Sequence, residues 1–311
     1  MSLERALELA EQARGRGYPK PTVGAVVEAG GEVVGEGVTE TAGRHGEIVA
    51  LEAAGKRARG ATLYVTMEPC AHFGTTPPCV DAIVAAGIER VVVGSRDPNP
   101  EAAGGVERLR AQGVQVGIVD RFEARRQNEA WRRWVSAQRP FVTYKAAVTL
   151  DARVAVPGSR WVSGEESRRL VHELRAAADA VAVGMGTVRL ENPRLDARDV
   201  GAARQPRRLA FGQGPLPDGS ELELRSGPLE EELRALAAEG VQSLLLEGGP
   251  SLAGSFLRAG LVDKLLLFVA PTLAGTGPLL VDGLEEPLRL SRLTSRGVGD
   301  DVLLEAYLRE P

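Results

Sequence analysis

The chain has 311 residues and a net charge of −4. That length exceeds what one hydrophobic core usually serves and suits two domains. With 43% apolar and 26% charged residues it is no disordered chain, and its mild acidity argues against a nucleic-acid backbone as the main partner.

The first ten residues carry Glu4 and Glu8 and lack a continuous apolar export core. No run reaches the ~18 apolar residues of a membrane span. A cytoplasmic location and no membrane partner are expected, in a compartment where thiols stay reduced. Apolar spacing then predicts a helix over Leu3–Arg14. Two strands, Thr22–Glu28 and Glu32–Gly37, flank the turn Ala29-Gly30-Gly31. A helix over Glu47–Ala58, a strand over Ala61–Thr66 and a helix over Val80–Ala86 follow. Arg90–Gly94 reads as a strand, Val106–Gln112 as a helix and Val114–Ile118 as a strand. Charges crowd around Trp131 and Trp134 up to Pro140, which reads as a connecting helix over about 123–139 and a domain boundary at 139–140. A second alternation begins there. Strands are expected at Phe141–Ala147, Ala180–Gly184, Arg207–Phe211, Ser243–Leu246, Leu265–Ala270 and Val302–Leu308. Helices are expected at Gly164–Ala178, Leu229–Gly240 and Ser251–Ala259, with Gly212–Pro228 the loosest segment. The fold class is α/β in two domains, 1–139 and 140–311, the first with helices over a largely parallel sheet.

Only two cysteines are present, Cys70 and Cys79. They are too few for a disulfide scaffold and leave a disulfide, two buried thiols or metal ligands as readings. Their surroundings favour the metal. Each follows a proline, and His45-Gly46-Glu47 opens a helix upstream. One imidazole and two thiolates give zinc three protein ligands and leave a fourth position for water, the arrangement of catalytic rather than structural sites. Zinc brings the pKa of that water towards ~7. Glu47, in the first turn after the histidine, is placed to carry protons without ligating.

The order His-x-Glu, Pro-Cys, Cys resembles the cytidine-deaminase-like superfamily. The strings Thr22–Val26, Leu63–Cys70, Cys70–Cys79 and Asp97-Pro98-Asn99-Pro100 resemble the riboflavin-biosynthesis deaminase in particular. The resemblance implies His45, Cys70 and Cys79 as zinc ligands, Glu47 as proton shuttle and His72 as a substrate contact. Three departures stand out. Gly46 replaces the usual alanine, Pro19-Lys20-Pro21 replaces Pro-Asn-Pro, and Thr75 replaces a loop cation. Lys20 is therefore read as the cation that serves the ribose phosphate in place of position 75.

The second half carries glycine turns after strands, at Gly184-Met185-Gly186 and Gly248-Gly249, but no Gly-x-Gly-x-x-Gly fingerprint. Backbone amides at such helix starts suit a phosphate. Phe141–Arg153, Trp161–Gly164, Leu174-Arg175-Ala176, Val183–Val188, Asn192–Leu195 and Glu247–Pro250 resemble the riboflavin-pathway reductase, a domain similar in fold to dihydrofolate reductase that uses NADPH. Position by position, this implies that Ser159, Arg175, Leu195, Arg198 and Glu247 touch substrate. By the same resemblance Ala147, Trp161, Thr187, Glu191, Gly249, Pro250, Ser251, Leu252, Ala253, Gly254 and Ser255 are expected to border NADPH. Lys145 stands alone in an apolar strand, where an unused cation is costly; Lys145 and Glu191 are read as handling charge and protons. Departures here are Ala152 in place of the usual glycine, Glu191 in place of aspartate and a short loop before Trp161.

The implied whole is a cytidine-deaminase-like α/β/α sandwich followed by a dihydrofolate-reductase-like α/β domain. It is expected to be a zinc- and NADPH-dependent bifunctional enzyme acting on a small phosphoribosylaminopyrimidine, and a homo-oligomer, dimer or tetramer. Two alternatives are a zinc deaminase of another free base with a divergent second domain, and a zinc-stabilised binding protein without activity. The carboxylate of Glu47 argues against the latter, because a purely structural site has no need of it.

Overall fold

Apolar positions every three to four residues give α1 (Ser2–Gln12) one buried stripe of Leu3, Ala6, Leu7 and Ala10. This is the first element of a computed structural model that describes residues 2–41, 43–73, 77–281 and 283–311. The chain divides between Ala137 and Gln138 into two compact units.

In the first unit α1 is followed by β1 (Gly24–Ala29), β2 (Glu32–Val38), α2 (Gly46–Ala54), β3 (Thr62–Val65), α3 (Cys79–Ala85), β4 (Arg90–Val93), α4 (Gly105–Ala111), β5 (Gln115–Ile118), α5 (Phe122–Gln127) and α6 (Glu129–Ala137). The strands form one sheet in the order β2-β1-β3-β4-β5. β3, β4 and β5 run parallel, whereas β1 is antiparallel to both its neighbours. The expected largely parallel sheet is thus parallel over one half. The Gly30-Gly31 turn, with φ of 59° and 85°, folds β2 straight back on β1.

Glycines set the height of α2 over this hairpin. A Cβ on Gly35 would lie 2.2 Å from the Ala50 carbonyl oxygen, and one on Gly37 2.2 Å from that of Gly46. Side chains at these two β2 positions would push the helix away. Beneath α2 and α3 lies a core of Leu63, Val65, Val91 and Val93 with Ala50, Ile83 and Leu109, into which Cys70 and Cys79 are also packed.

The single helix expected over 123–139 is two helices, broken at Asn128, which has φ −120° and ψ 28°. The Asn128 side chain is committed elsewhere. Its Oδ1 accepts the Thr22 N–H at 2.8 Å and its Nδ2 donates to the Thr22 carbonyl at 2.9 Å.

The second unit contains β6 (Phe141–Thr149), α7 (Glu165–Ala177), β7 (Ala180–Gly184), α8 (Met185–Glu191), β8 (Arg207–Phe211), β9 (Glu223–Arg225), α9 (Leu229–Ala238), β10 (Ser243–Leu246), α10 (Pro250–Arg258), β11 (Lys264–Ala270), β12 (Ser291–Val298) and β13 (Asp301–Tyr307). Its sheet has the order β12-β13-β11-β6-β10-β7-β8-β9. The six strands from β11 to β9 are parallel, and β13 is antiparallel to both neighbours. Alternation along β6 serves two layers. Val142, Tyr144 and Ala146 pack with Leu233, Leu236 and Phe256 of α9 and α10, while Ala147 packs beside Leu170 and Leu174 of α7.

Three elements lack a clear sequence signal. α8 contains Gly186, Thr187 and Val188, poor helix formers. β9 is three residues inside the loosest segment. β12 is an edge strand exposed along nearly its whole length, so it shows no alternation. No helix among the described residues is long and apolar enough to cross a membrane.

Candidate active sites

Three chain turns converge at the first site. His45 caps α2 in extended conformation, Cys70 follows β3, and Cys79 opens α3. The His45 Nδ1 atom lies 3.1 Å from Cys79 Sγ and 3.6 Å from Cys70 Sγ, and the three ligand atoms fall within 4.8 Å of one another. The Cys79 N–H donates to Cys70 Sγ at 3.3 Å. Both cysteines are buried and free. The Cys79 thiol and the His45 ring hold Cys70 well below the usual thiol range, and the same bond to Cys70, with burial, pushes Cys79 up. The trio has the donors of a zinc site.

Glu47, next on α2, is 3% exposed, and its Oε2 has no hydrogen-bond partner among the described residues. Burial raises its carboxyl above the ordinary value, opposed by the charge of His45. A buried orphan oxygen costs free energy unless something occupies the site. A cation on the trio with water beside it fits that need. Gly46, the departure from alanine, has a structural reason: a Cβ there would sit 2.4 Å from the Val23 carbonyl oxygen.

These groups open onto a cavity of about 260 Å³. Lys20 and His72 line it, and the His72 Nδ1 is buried without a hydrogen-bond partner among the described residues. Thr75 lies outside the described residues. Sequence reasoning missed the role of Asp97, Asn99 and Trp131, which also border the cavity. Asp97 accepts the Asn99 N–H at 2.8 Å, and burial pushes its carboxyl up to about 6. Glu68 fixes this wall from behind, accepting the N–H groups of Asp97 at 3.3 Å and Val106 at 3.0 Å.

The second site is built around Glu247 at the end of β10. Its carboxylate accepts from Arg175 at 2.6 and 3.1 Å and pairs with Lys145 at 3.4 Å. Burial works to raise this carboxyl, but Lys145 and Arg175 outweigh it and the net shift is downward. The Lys145 cation of the apolar strand therefore has its partner. Arg175 also donates to the Asp196 carbonyl at 3.2 Å, as does His172 Nδ1 at 3.0 Å, and Arg198 donates to the Asp196 carboxylate at 2.6 Å. Leu195, beside them, has φ 52° and buries its side chain with Met185 and Val188, so its backbone is what it can offer a ligand.

The starts of α8 and α10 meet nearby. A Cβ on Gly249, the cap of α10, would find only the Thr187 hydroxyl at 3.8 Å. This leaves the first turn of α10 open, where the N–H groups of Ser251 and Leu252 precede the first intrahelical bond, from Ala253 to the Gly249 carbonyl, an arrangement that suits an anion. Thr187 and Glu191 share one face of α8. Glu191 is exposed at the helix end and has no hydrogen bond or ion pair among the described residues. Ala147 lies two residues along β6 from Lys145, on the same face. Trp161 is 50% exposed, with the guanidinium carbons of Arg160 and Arg168 at 4.9 and 5.2 Å from its ring centroid, and exchanges hydrogen bonds with Ser159. Ala152 has φ 59°, which explains why glycine is usual at its position.

Fold and donor sets define a two-unit enzyme, a zinc deaminase followed by a nucleotide-dependent reductase. Residues 1–95 match the family model of the cytidine and deoxycytidylate deaminase zinc-binding region, and residues 140–218 and 220–304 match that of the RibD C-terminal domain. The riboflavin biosynthesis protein RibD of Mycobacterium tuberculosis is 42% identical, over 98% of this chain and 96% of the relative. That of Aquifex aeolicus is 39% identical over 97% and 96%. A solved structure of Acinetobacter baumannii RibD superposes with a TM-score of 0.84 at 32% identity, covering 98% and 97%. The deaminase/reductase of Thermotoga maritima gives 0.82 at 33% identity, with the same coverage. The chain belongs to the RibD family of bifunctional riboflavin-biosynthesis enzymes, in which the deaminase unit uses zinc and the reductase unit NADPH.

Proposed function

We propose that the first unit deaminates 2,5-diamino-6-(5-phosphoribosylamino)pyrimidin-4-one. The second then reduces the ribosyl group of the resulting 5-amino-6-(5-phosphoribosylamino)uracil to ribityl. The Thermotoga maritima relative is titled a diaminohydroxyphosphoribosylaminopyrimidine deaminase/5-amino-6-(5-phosphoribosylamino)uracil reductase. The observation that carries the reading is the buried Glu47 carboxylate, whose Oε2 has no hydrogen-bond partner among the described residues, beside the His45, Cys70 and Cys79 donors.

Those three residues would hold zinc, which supplies the activation of a water molecule at neutral pH. Glu47 then works as the shuttle. Its Oε2 takes a proton from the attacking water and passes it to the ring nitrogen as the hydroxyl adds to the carbon, then carries the hydroxyl proton to the amino nitrogen, so the C–N bond breaks, ammonia leaves and the carbonyl forms. The raised Glu47 carboxyl suits a group that must both take and give a proton. His72 orients the ring through its buried Nδ1, and Lys20 meets the ribose phosphate.

In the second unit Arg175, Arg198, Ser159, Glu247 and the Leu195 backbone bind the phosphoribosyl-pyrimidine. Arginine suits the phosphate because its fork donates in pairs. Lys145, held by Glu247, stabilises charge near C1′. Ala147, Trp161, Thr187, Glu191 and Gly249–Ser255 border NADPH, which supplies the hydride. Glu191, on the Thr187 face of α8, serves proton transfer at that border.

The same reading sets the enzyme in the cytoplasm, where Cys70 and Cys79 remain free thiols able to bind metal. It also takes the chain as a homo-oligomer, dimer or tetramer. Exposed Leu288, Leu290 and Leu293 on and before the edge strand β12 support that view, and light scattering tests it. The functional test supplies the diaminopyrimidine phosphate to purified protein and follows ammonia release and NADPH oxidation. Ammonia without NADPH oxidation would favour a deaminase with a divergent second domain.

A further inference from the structure

The deaminase cavity is not completed by the zinc-binding region alone. Asp97, Asn99 and Trp131 on its wall come from residues 96–139, the stretch between the two family-matched regions. Trp131 is 9% exposed, and among the described residues it is the one aromatic ring other than histidine on that wall. Lys20 is the one lysine or arginine there.

Asn128, at the junction of α5 and α6, ties that junction to the segment that carries Lys20. It is 7% exposed and holds Thr22 at two points, accepting from its N–H and donating to its carbonyl. Asparagine is suited to this, because one amide satisfies a backbone donor and a backbone acceptor together. Thr22 follows Pro21, which lines the cavity, and Pro19 and Pro21 fix φ on either side of Lys20. A hold on Thr22 is thereby passed along a stiff strap to Lys20.

We propose that α6 and the α5–α6 junction before it position the deaminase site: Asn128 at the junction fixes the strap that aims Lys20 at the anionic group of the substrate, and Trp131 of α6 forms the wall against which its planar ring packs. This rests on the deaminase reading above. Asn128 touches no substrate and acts through Lys20, whereas Trp131 meets the ring directly. Without the Asn128 amide, both Thr22 groups lose their buried partner and Lys20 samples more positions. The phosphate is then held less well, while the chemistry at Glu47 is untouched.

The test uses the full chain, with ammonia release and NADPH oxidation measured separately. Asn128→Ala should raise the deaminase KM by about tenfold or more, a loss typical of an unsatisfied buried pair, with kcat within about threefold. Reductase activity on the deaminated product should be unchanged, which reports an intact fold. Asn128→Asp, which keeps the acceptor and loses the donor, should fall between and serves if the alanine variant does not fold. In a Lys20→Ala background, Asn128→Ala should add less than about twofold to KM, because the residue it aims is gone. Trp131→Phe should keep the wall and Trp131→Ala should raise KM. A wild-type KM in both Asn128 variants, or full additivity with Lys20→Ala, overturns the proposal. If the unaltered protein releases no ammonia, the deaminase reading itself fails. Quenching of tryptophan fluorescence by the diaminopyrimidine phosphate then decides the proposal: weaker binding in Asn128→Ala upholds it, and equal binding overturns it.

Discussion

Substituting Gly46 with alanine sets the family resemblance against the geometry. The resemblance puts alanine between the metal histidine and the glutamate, and an alanine in a helix interior gains up to ~1 kcal/mol over glycine. Here the added Cβ would lie 2.4 Å from the Val23 carbonyl oxygen and 3.1 Å from the Val38 Cα. An ordinary contact with that oxygen begins near 3.4 Å, so the start of α2 must lift by about 1 Å. Overpacking of this kind typically costs ~1–3 kcal/mol. The propensity gain is small at the first helical position, so the net effect is a loss of about 1–2 kcal/mol. The functional effect is larger. The lift carries His45 and Glu47 away from Cys70 and Cys79, which sit on other turns, and a misplacement near 1 Å can cost ~100-fold in rate. The assay is ammonia release together with zinc retained per chain after dialysis against a chelator, with NADPH oxidation as the control. Gly46→Ala should lose zinc more readily and deaminate far more slowly while reducing normally. A variant with wild-type zinc retention, deamination and melting temperature would refute the packing argument.

Glu247→Gln leaves Lys145 and Arg175 facing each other without their counter-charge, and removing one partner of a buried pair costs ~3–5 kcal/mol. The thermal midpoint for loss of reductase activity should fall by at least several degrees. Because the Glu247 carboxyl is held below its ordinary value, its contribution is fully present above pH ~4 and is lost as the pH falls further. The gap between the two proteins should therefore be constant from pH 6 to 8 and close in acid; a gap that widens in acid contradicts the assignment. Gly249→Ala meets only the Thr187 hydroxyl at 3.8 Å, so it should fold normally but raise the KM for NADPH with no effect on ammonia release. An unchanged KM would move the cofactor elsewhere. Ala152→Gly relieves a left-handed alanine at φ 59°, worth roughly 1 kcal/mol, against ~0.4–1 kcal/mol of added chain entropy. The melting temperature should stay level or rise by about 1–2 °C, and a clear drop would contradict the turn geometry.

The zinc donors were legible because their chemistry is rare in this chain. Two cysteines and three histidines leave few ways to assemble a metal site, and each donor falls beside a proline or at a helix start. Lys145 was legible for a similar reason, as a cation in an apolar strand, although its partner Glu247 lies 102 residues away and adjacency of parallel strands is not written in either segment. The Asn128 break and the cavity face of Trp131 were hidden. In a stretch crowded with arginine and glutamate, a helix pattern reads as a solvated connection, and nothing local shows that one asparagine is committed to Thr22. The reason for Gly46 was equally hidden, since it depends on how closely β1 and β2 approach α2.

The most direct measurement compares the unaltered protein with Glu47→Gln. Both are loaded with zinc, supplied first with the diaminopyrimidine phosphate and then with the deaminated product, while ammonia and NADPH are followed. The account predicts that the unaltered protein releases ammonia and then oxidises NADPH. Glu47→Gln should release none from the first compound yet oxidise NADPH normally with the second. Ammonia release by Glu47→Gln at the wild-type rate would contradict the account at its centre.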